Sequence, residues 1–353
     1  GGRTALTLGV LCIALSAFCR GLADDYWQLL GAVMLFGIGG PIVSSGAPKV
    51  VTEIFTGSRR GLAMGIYMTG PTLGGILALT LTHSVLLPAF DNDWRALMML
   101  WGLVALLAAG SWLLIASTAG RTLLGGGADT AASMQSTPDG ETGSKVERST
   151  EESGGAISQI LRVPGVPLVL AMSVGVFLIN HGMNNWLPEM LRHGGMTVVE
   201  AGYWAALPMV VGIIGSLTIP RLAVPGRRMF ILGGLCVAAV VSSLLLTVTD
   251  PATTTVALLV QGLVRSSLMT VLILTLVELP GIRPEQAGTA SGLFFSAAEV
   301  GGVLGPLGLG VIYDLTQGFS AGLYALAAVA ALMTLGTGRL AAITRPEPAT
   351  ARG

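Results

Sequence analysis

Long apolar runs alternate along this chain with short turns of polar residues and glycine. A bilayer core of about 30 Å requires about 20 apolar residues in helical conformation. This criterion predicts ten membrane helices, over residues 4–19, 27–55, 62–87, 95–116, 166–191, 199–220, 228–248, 254–279, 288–312 and 319–340. The pattern is typical of an all-α polytopic membrane protein.

One long polar region separates the fourth and fifth apolar segments. It is rich in Gly, Ser, Thr, Asp and Glu, a composition that cannot bury a core. We interpret it as a mobile hydrophilic linker rather than a folded domain. The predicted organisation is a four-helix part, a linker, a six-helix part and a tail, over residues 1–116, 117–164, 165–341 and 342–353.

Composition agrees with a membrane location and narrows the chemistry. The chain is 52% hydrophobic and 11% charged, whereas about 25% of an average soluble domain is charged. Cys12, Cys19 and Cys236 show neither paired nor metal-ligand spacing, so we predict no disulfide, metal or cofactor. Acidic and basic residues balance at 19 each, which gives no indication of nucleic-acid binding. No cluster of His, Asp or Glu suggests a membrane enzyme.

The placement of the cations predicts the topology. If residue 1 is cytoplasmic, fifteen Lys and Arg residues lie on the cytoplasmic side and three, Arg20, Arg95 and Arg192, lie outside. This asymmetry follows the positive-inside rule. We therefore expect a protein of the cytoplasmic membrane whose linker and C-terminus are both cytoplasmic.

An internal repeat relates the two halves of the chain. Residues 2–12, GRTALTLGVLC, align with residues 226–236, GRRMFILGGLC, and Gly74-Gly75 align with Gly301-Gly302. The second half has two helices before its copy of the repeat, and the first half has none. We therefore expect two further helices to precede residue 1, giving twelve helices in two parallel sets of six.

Two six-helix repeats joined by a cytoplasmic linker, with the basic turn PRLAVPGRR at 220–228, resemble the major facilitator superfamily. Within that superfamily, RGLAMGIYMTG at 60–70 and the stretch from Trp186 to Ala223 are similar to the branch of cyanate and nitroimidazole transporters. The resemblance implies a secondary transporter whose two halves rock around a site near the membrane midplane. It also implies that the first and fourth helices of each half line a central cavity.

The predicted fifth helix is one of these cavity helices, and it contains the polar stretch FLINHGMNNWLP at 177–188. Asn180, His181, Asn184 and Asn185 fall within an arc of about 140° on that helix. Such side chains are costly to expose to lipid, so they should face a solute, water or a polar neighbour. Substrate binding and hydrogen bonding between helices both remain open. We expect Trp186 to be an interfacial anchor.

Arg265 lies near the middle of the predicted eighth helix and requires an anion there. Gln261 lies one turn earlier on the same face, and we assign both residues to the substrate site. Glu299 lies at a similar depth on the ninth segment. If it pairs with Arg265 and separates from it during the cycle, Glu299 could couple transport to protons. A static ion pair is the alternative.

Other motifs suggest structural roles. We expect helix packing or kinks at Gly40, Pro41, Gly70, Pro71, Gly74, Gly75, Gly301 and Gly302. By resemblance, Glu53 with Arg3, and Glu278 with Arg227 or Arg228, could form cytoplasmic latches, although solvated helix-end charges are the alternative. Thr197 and Glu200 have the spacing of a capping box. We assign no functional role to His83 or His193.

The function expected from the sequence is transport of a small anionic or polar solute across the bilayer by alternating access. Proton coupling is a hypothesis. Efflux of a drug-like compound is the competing transport function, and an inactive fragment or a polytopic membrane enzyme are the alternatives outside transport.

Overall fold

The computed structural model describes residues 2–54, 57–122 and 157–344. Secondary structure in these ranges is helical, without strands, as the hydrophobic pattern predicts. The middle of the predicted linker, residues 123–156, lies outside them, as do the tail from residue 345 and the side chains of Arg3 and Glu53.

Ten principal helices correspond to the ten predicted segments. They are α1 (Gly2–Gly21), α2 (Tyr26–Ile54), α3 (Gly57–Leu81), α4 (Trp94–Thr122), α5 (Val166–His193), α6 (Val198–Leu222), α7 (Arg228–Leu245), α8 (Pro251–Val277), α9 (Ala287–Thr316) and α10 (Ser320–Ile343). A π-helical segment, Thr82–Leu86, and a single turn, Leu87–Ala89, extend α3. Within the described ranges, α2 to α10 each provide a span long and apolar enough to cross a membrane, and α1 provides a shorter one.

Capping residues determine where two of the helices begin. The Thr197–Glu200 capping box is confirmed, because the Glu200 amide donates to Thr197 and the Thr197 amide donates to the Glu200 carboxylate. Helix α8 begins at Pro251, three residues earlier than predicted, because the Asp250 carboxylate accepts a hydrogen bond from the Thr253 amide at 3.0 Å.

Both ends of the predicted linker are helical. Helix α4 extends to Thr122 rather than residue 116, and no proline interrupts it. Residues 157–162 form a further short helix. Ile160 in this helix is fully buried in the hydrophobic core of the C-terminal helices, and this burial stabilises the short helix.

The chain divides into two compact units, residues 1–140 and 141–353. In the N-terminal unit, α1 packs against α2 and α4. In the C-terminal unit, the repeat-equivalent α7 packs in the same way against α8 and α10. The two units therefore share one packing pattern, as expected for parallel structural repeats.

Glycines bring the helices of the C-terminal unit close together around α5. A Cβ atom at Gly301 or Gly305 of α9 would overlap the carbonyl groups of Val174 and Leu178 on α5. On the other side of the unit, a Cβ at Gly262 of α8 would lie 2.8 Å from the Pro208 carbonyl oxygen of α6. Close backbone approach of this kind is characteristic of membrane helix pairs, and it fixes α5, α8 and α9 around the candidate site.

Candidate functional site

Helices α5 and α8 are joined by two hydrogen bonds at the polar stretch. The Asn180 side-chain amide donates to the Arg265 carbonyl oxygen at 3.1 Å. One turn further along α5, the Asn184 amide oxygen accepts a hydrogen bond from the Arg265 guanidinium at 2.9 Å. The structure therefore brings Asn180, Asn184 and Arg265 together, with Asn184 orienting the charged group.

Arg265 lies near the middle of α8 and makes no ion pair with any residue that the structure describes. Arg265 and Glu299 form no ion pair in this conformation, where the Arg265 guanidinium is directed to Asn184. An amide oxygen compensates the guanidinium by hydrogen bonding but does not neutralise its charge. A midspan cation without a carboxylate partner attracts an anion.

Glu299 of α9 and His181 of α5 both lie beside Gly302, and Glu299 is exposed. A Cβ atom built at Gly302 would lie 3.1 Å from the Glu299 Oε2 atom and 3.5 Å from the His181 Nδ1 atom. The His181 ring is stacked on Phe177, with ring centroids 5.2 Å apart. An imidazole and a carboxylate therefore both lie close to Gly302 at the α5–α9 contact.

The remaining polar groups of the stretch make structural contacts. The Asn185 amide donates to the His181 carbonyl oxygen of its own helix at 2.8 Å. Trp186 donates its indole N–H to the Pro306 carbonyl oxygen of α9 at 2.9 Å, so this side chain links two helices. Asn180 and Asn184 contact α8, whereas His181 and Trp186 contact α9, so the predicted polar stripe divides between two neighbours.

Gln261 faces a buried cavity rather than the exposed surface. Its side chain is 5% exposed, and its Oε1 atom has no hydrogen-bond partner among the residues that the structure describes. Ser242 and Ser243 of α7 line the same cavity, beside Asn180 and Arg265. The sequence reasoning missed these two serines, although adjacent hydroxyls in the apolar run AAVVSSLLL were a detectable signal.

Of the charges predicted to be cytoplasmic, Arg228 and Glu278 form an ion pair at 2.8 Å. The Arg228 side chain is 8% exposed and also donates to the carbonyl oxygens of Ala223 and Leu274. Arg227 is exposed and is not ion-paired within the described ranges. The corresponding pair of Arg3 and Glu53 lies outside the described side chains.

The predicted packing glycines of the N-terminal unit differ from those of the C-terminal unit. A Cβ atom at Gly70 or Gly74 would meet no described atom within 4 Å, and Pro71 is exposed. Gly75 is half-buried, as is Gly40, where a Cβ would contact only the Phe36 ring of the same helix. Pro41 follows Gly40 within the continuous helix α2.

The close contact between α1 and α2 is instead at Gly9 and Gly39. A Cβ atom at Gly39 would lie 2.6 Å from the Gly9 carbonyl oxygen. The helices thus meet one residue before the predicted Gly40.

The N-terminal unit also contains a groove of about 360 Å³ between α1, α2, α3 and α4. Arg20, expected outside the membrane, lines this groove, with its guanidinium carbon 5.4 Å from the centroid of the Phe36 ring. The Arg20 Nε atom is buried without a hydrogen-bond partner among the described residues. Trp101 of α4 and Ala78 of α3 complete the groove walls.

Relatives of this chain are membrane transporters. A quinolone resistance transporter of Acinetobacter baumannii is 32% identical over 175 residues, which cover 44% of this chain and 36% of that protein. The chain thus matches about a third of that relative's length. An uncharacterised MFS-type transporter of Bacillus subtilis, YfnC, is 26% identical over 316 residues, which cover 89% of this chain and 69% of that protein.

Solved structures share the fold. The nucleoside transporter NupG superposes with a TM-score of 0.68 at 11% identity, covering 96% of this chain and 83% of its own. A bacterial homologue of the human lysosomal transporter Spinster superposes with a TM-score of 0.63 at 17% identity, covering 98% and 84%. The sequence profile of the family described as the Major Facilitator Superfamily matches residues 1–306 of this chain. The chain therefore belongs to the Major Facilitator Superfamily of membrane transporters.

Proposed function

We propose that this transporter moves a small anionic or strongly polar solute, with Arg265 as the anion-binding group. The observation that supports the proposal is the midspan guanidinium of Arg265, which hydrogen bonds to Asn184 but has no carboxylate partner among the described residues. Asn184 and Asn180 orient this cation from α5, and a solute carboxylate or similar group would supply the missing negative charge.

Uptake or exchange of labelled organic anions in proteoliposomes tests the role of Arg265. We expect Arg265→Gln to lower transport by about ten- to hundredfold, because a hydrogen bond to a charged group contributes about 1.5–3 kcal/mol. Arg227→Gln is the matched control, because Arg227 is exposed at the start of α7 and lies outside the site. Unchanged anion transport by Arg265→Gln would exclude this substrate role.

We further propose Glu299 as the group that couples transport to protons. The support is the position of the Glu299 carboxylate beside Gly302, which the His181 imidazole of α5 also approaches, and one of the fold relatives is named as a fucose:proton symporter of E. coli. We expect Glu299→Gln to transport without the pH change in the medium that accompanies wild-type transport. Glu285→Gln, an exposed position before α9, serves as control. Normal proton movement with Glu299→Gln would exclude coupling at this residue.

Drug-like compound efflux is a second candidate, supported by the relative that is named as a quinolone resistance transporter. This function does not need an anion at Arg265. Export of an uncharged compound that survives both Arg265→Gln and Glu299→Gln would favour it. The similarity to cyanate and nitroimidazole transporters also stays a proposal. Competition by cyanate in the anion transport assay tests it.

We also propose that the N-terminal unit is completed by two further helices. The unfilled faces of Gly70 and Gly74 and the groove at Arg20 support this. The intact mass of the protein purified from its own host should then exceed 36.1 kDa. The difference should be the mass of roughly 60 residues or more, the length that two spans require. A mass of 36.1 kDa would contradict the proposal.

Topology and location stay proposals as well. The cation asymmetry supports a cytoplasmic linker and C-terminus in the cytoplasmic membrane. Single cysteines placed in the linker and the tail should react with a membrane-impermeant maleimide only in inverted vesicles. Reaction in intact cells would reverse the assigned orientation.

A further inference from the structure

The cavity between α5, α7 and α8 is polar at its buried end. Gln261 is 5% exposed, and Ser242 and Ser243 are each 1% exposed. Asn180 and Arg265, which are half-buried, line the same cavity. The cavity therefore places buried polar side chains beside the proposed anion-binding group.

Gln261 leaves an unused hydrogen-bond acceptor at the buried end. Its Oε1 atom is buried and receives no hydrogen bond from any part of the chain that the structure describes. The neighbouring Ser242 hydroxyl is unavailable as a donor, because it already donates to the Ala257 carbonyl oxygen at 3.1 Å. An unsatisfied buried acceptor is unfavourable, so a group that enters with an O–H or N–H donor would be preferred over an apolar one.

The size of the cavity limits what can enter. About 10 Å³ is available to the centre of a water-sized group, which is room for about one such group. A hydroxyl suits this space because it can donate to Gln261 and accept from a serine. An ammonium group does not suit it, because Arg265 is in the lining and like charges repel.

We infer that the Gln261–Ser243 cavity binds a hydroxyl group of the solute whose negative charge is held by Arg265. The inference rests on the proposed anion site and specifies its substrate class as hydroxylated small organic anions. Selectivity arises because a deoxy analogue leaves the Gln261 acceptor unsatisfied, whereas the hydroxylated anion satisfies it.

Calorimetric titration of the purified full chain with four anions tests this inference. The probes are butyrate and its 2-, 3- and 4-hydroxy derivatives, which share one carboxylate and differ in the position of a single hydroxyl. We expect one hydroxybutyrate to bind about tenfold more tightly than butyrate. Gln261→Met should abolish that preference while retaining butyrate binding, and Ser243→Ala should reduce it.

Ser267→Ala is the matched control. Ser267 is also on α8 with a buried, unpartnered hydroxyl, but it faces Gly215 of α6 rather than the cavity. This variant should keep the wild-type preference for the hydroxylated anion, which separates a specific effect from a general loss of buried polarity.

The outcomes distinguish the inference from the proposed function on which it rests. Equal affinity for all four anions, with binding that is lost in Arg265→Gln, would overturn the hydroxyl site and retain the anion site. A hydroxyl preference that persists in Gln261→Met would also overturn the hydroxyl site. No binding of any of the four anions, or binding that Arg265→Gln leaves unchanged, would contradict the anion site itself and the inference with it.

Discussion

Helices α3 and α9 occupy equivalent positions in the repeat but have different surroundings. Gly301 of α9 lies against the backbone of α5, whereas a Cβ at the repeat-equivalent Gly74 of α3 would meet none of the atoms that the structure describes. None of the apolar span Thr69–Ala89 is buried inside its unit. Similar small-residue sequences therefore produce a packed helix in the C-terminal unit and an uncovered helix in the N-terminal unit. Among the described residues, only the C-terminal unit has a helix, α5, against this glycine face.

The same contrast extends to the polar groups of the two units. In the C-terminal unit, α5 supplies Asn180 and Asn184, which order Arg265 of α8. In the N-terminal unit, Arg20 lines an apolar groove and its Nε atom lacks a described partner. A helix that covers the core therefore also supplies the amides that organise a charged site.

The largest effect that tests this contrast is expected from a bulky side chain at the two equivalent glycines. Gly301→Leu should abolish the well-folded protein, because a side chain there overlaps the α5 backbone and overpacking costs about 1–3 kcal/mol or more. Gly74→Leu should be tolerated in this chain. Yield of monodisperse protein on size-exclusion chromatography and the unfolding midpoint measure both variants. Equal loss at both positions would show that the face of α3 is not open.

Breaking the charge pair at the start of α7 should have an intermediate effect. Glu278→Gln removes the carboxylate partner of a mostly buried Arg228, so we expect a loss of about 1–3 kcal/mol in the free energy of unfolding. The effect should stay below that of a fully buried pair, because Glu278 is half-exposed. Thermal unfolding with Glu285→Gln as control measures it, and indistinguishable midpoints would show that the pair contributes nothing.

Two asparagines sharpen the description of the polar stretch. Asn184→Ala should weaken anion binding several-fold, because the Arg265 guanidinium loses the hydrogen bond that orients it. The neighbouring Asn185→Ala should change binding little, since Asn185 bonds only to its own helix among the described residues. Titration with the butyrate series compares the two variants. A larger loss for Asn185→Ala would reverse the assigned roles.

The smallest effect is expected from removing a helix-capping aspartate, a feature that both units have. Asp25 caps α2 by accepting from the Gln28 amide, and Asp250 caps α8 by accepting from the Thr253 amide. That backbone hydrogen bond, followed by one from the Thr253 hydroxyl, lowers the pKa of Asp250. Its contribution is therefore present above the ordinary pKa of about 3.9 and is lost as pH falls through the lowered folded pKa.

Asp25→Ala and Asp250→Ala should each lower the unfolding midpoint slightly at pH 7. For Asp250→Ala, the difference from wild type should shrink as the pH falls below the ordinary aspartate pKa of about 3.9 and through the lowered folded pKa. Thermal unfolding at several pH values measures this. A difference for Asp250→Ala that persists undiminished in acid would contradict the capping explanation.

Sequence patterns predicted the number and order of the helices, because ten apolar segments of bilayer length are a strong signal. Helix ends were less accurate at α4 and α8, where a missing breaker and the Asp250 cap shifted the boundary. For the site, helical periodicity placed Asn180 and Asn184 on one face, and both contact Arg265.

Periodicity alone could not determine the partners across helices. Depth along the membrane suggested that Arg265 meets Glu299, but depth does not specify which faces meet, and Arg265 instead turns to Asn184. Ser242 and Ser243 were missed for the same reason, because only the packing of α7 against α8 reveals that they share a cavity with Gln261.

The central claim, that Arg265 is an unneutralised cation available to a solute, is tested most directly by comparing an anion with its neutral isostere. Purified protein should be stabilised against heat by butyrate more than by butyramide, because a ligand that binds the folded state raises the unfolding midpoint. Arg265→Gln should eliminate the difference between the two ligands, and Arg227→Gln should keep it. A butyrate-specific stabilisation that survives in Arg265→Gln would contradict the account.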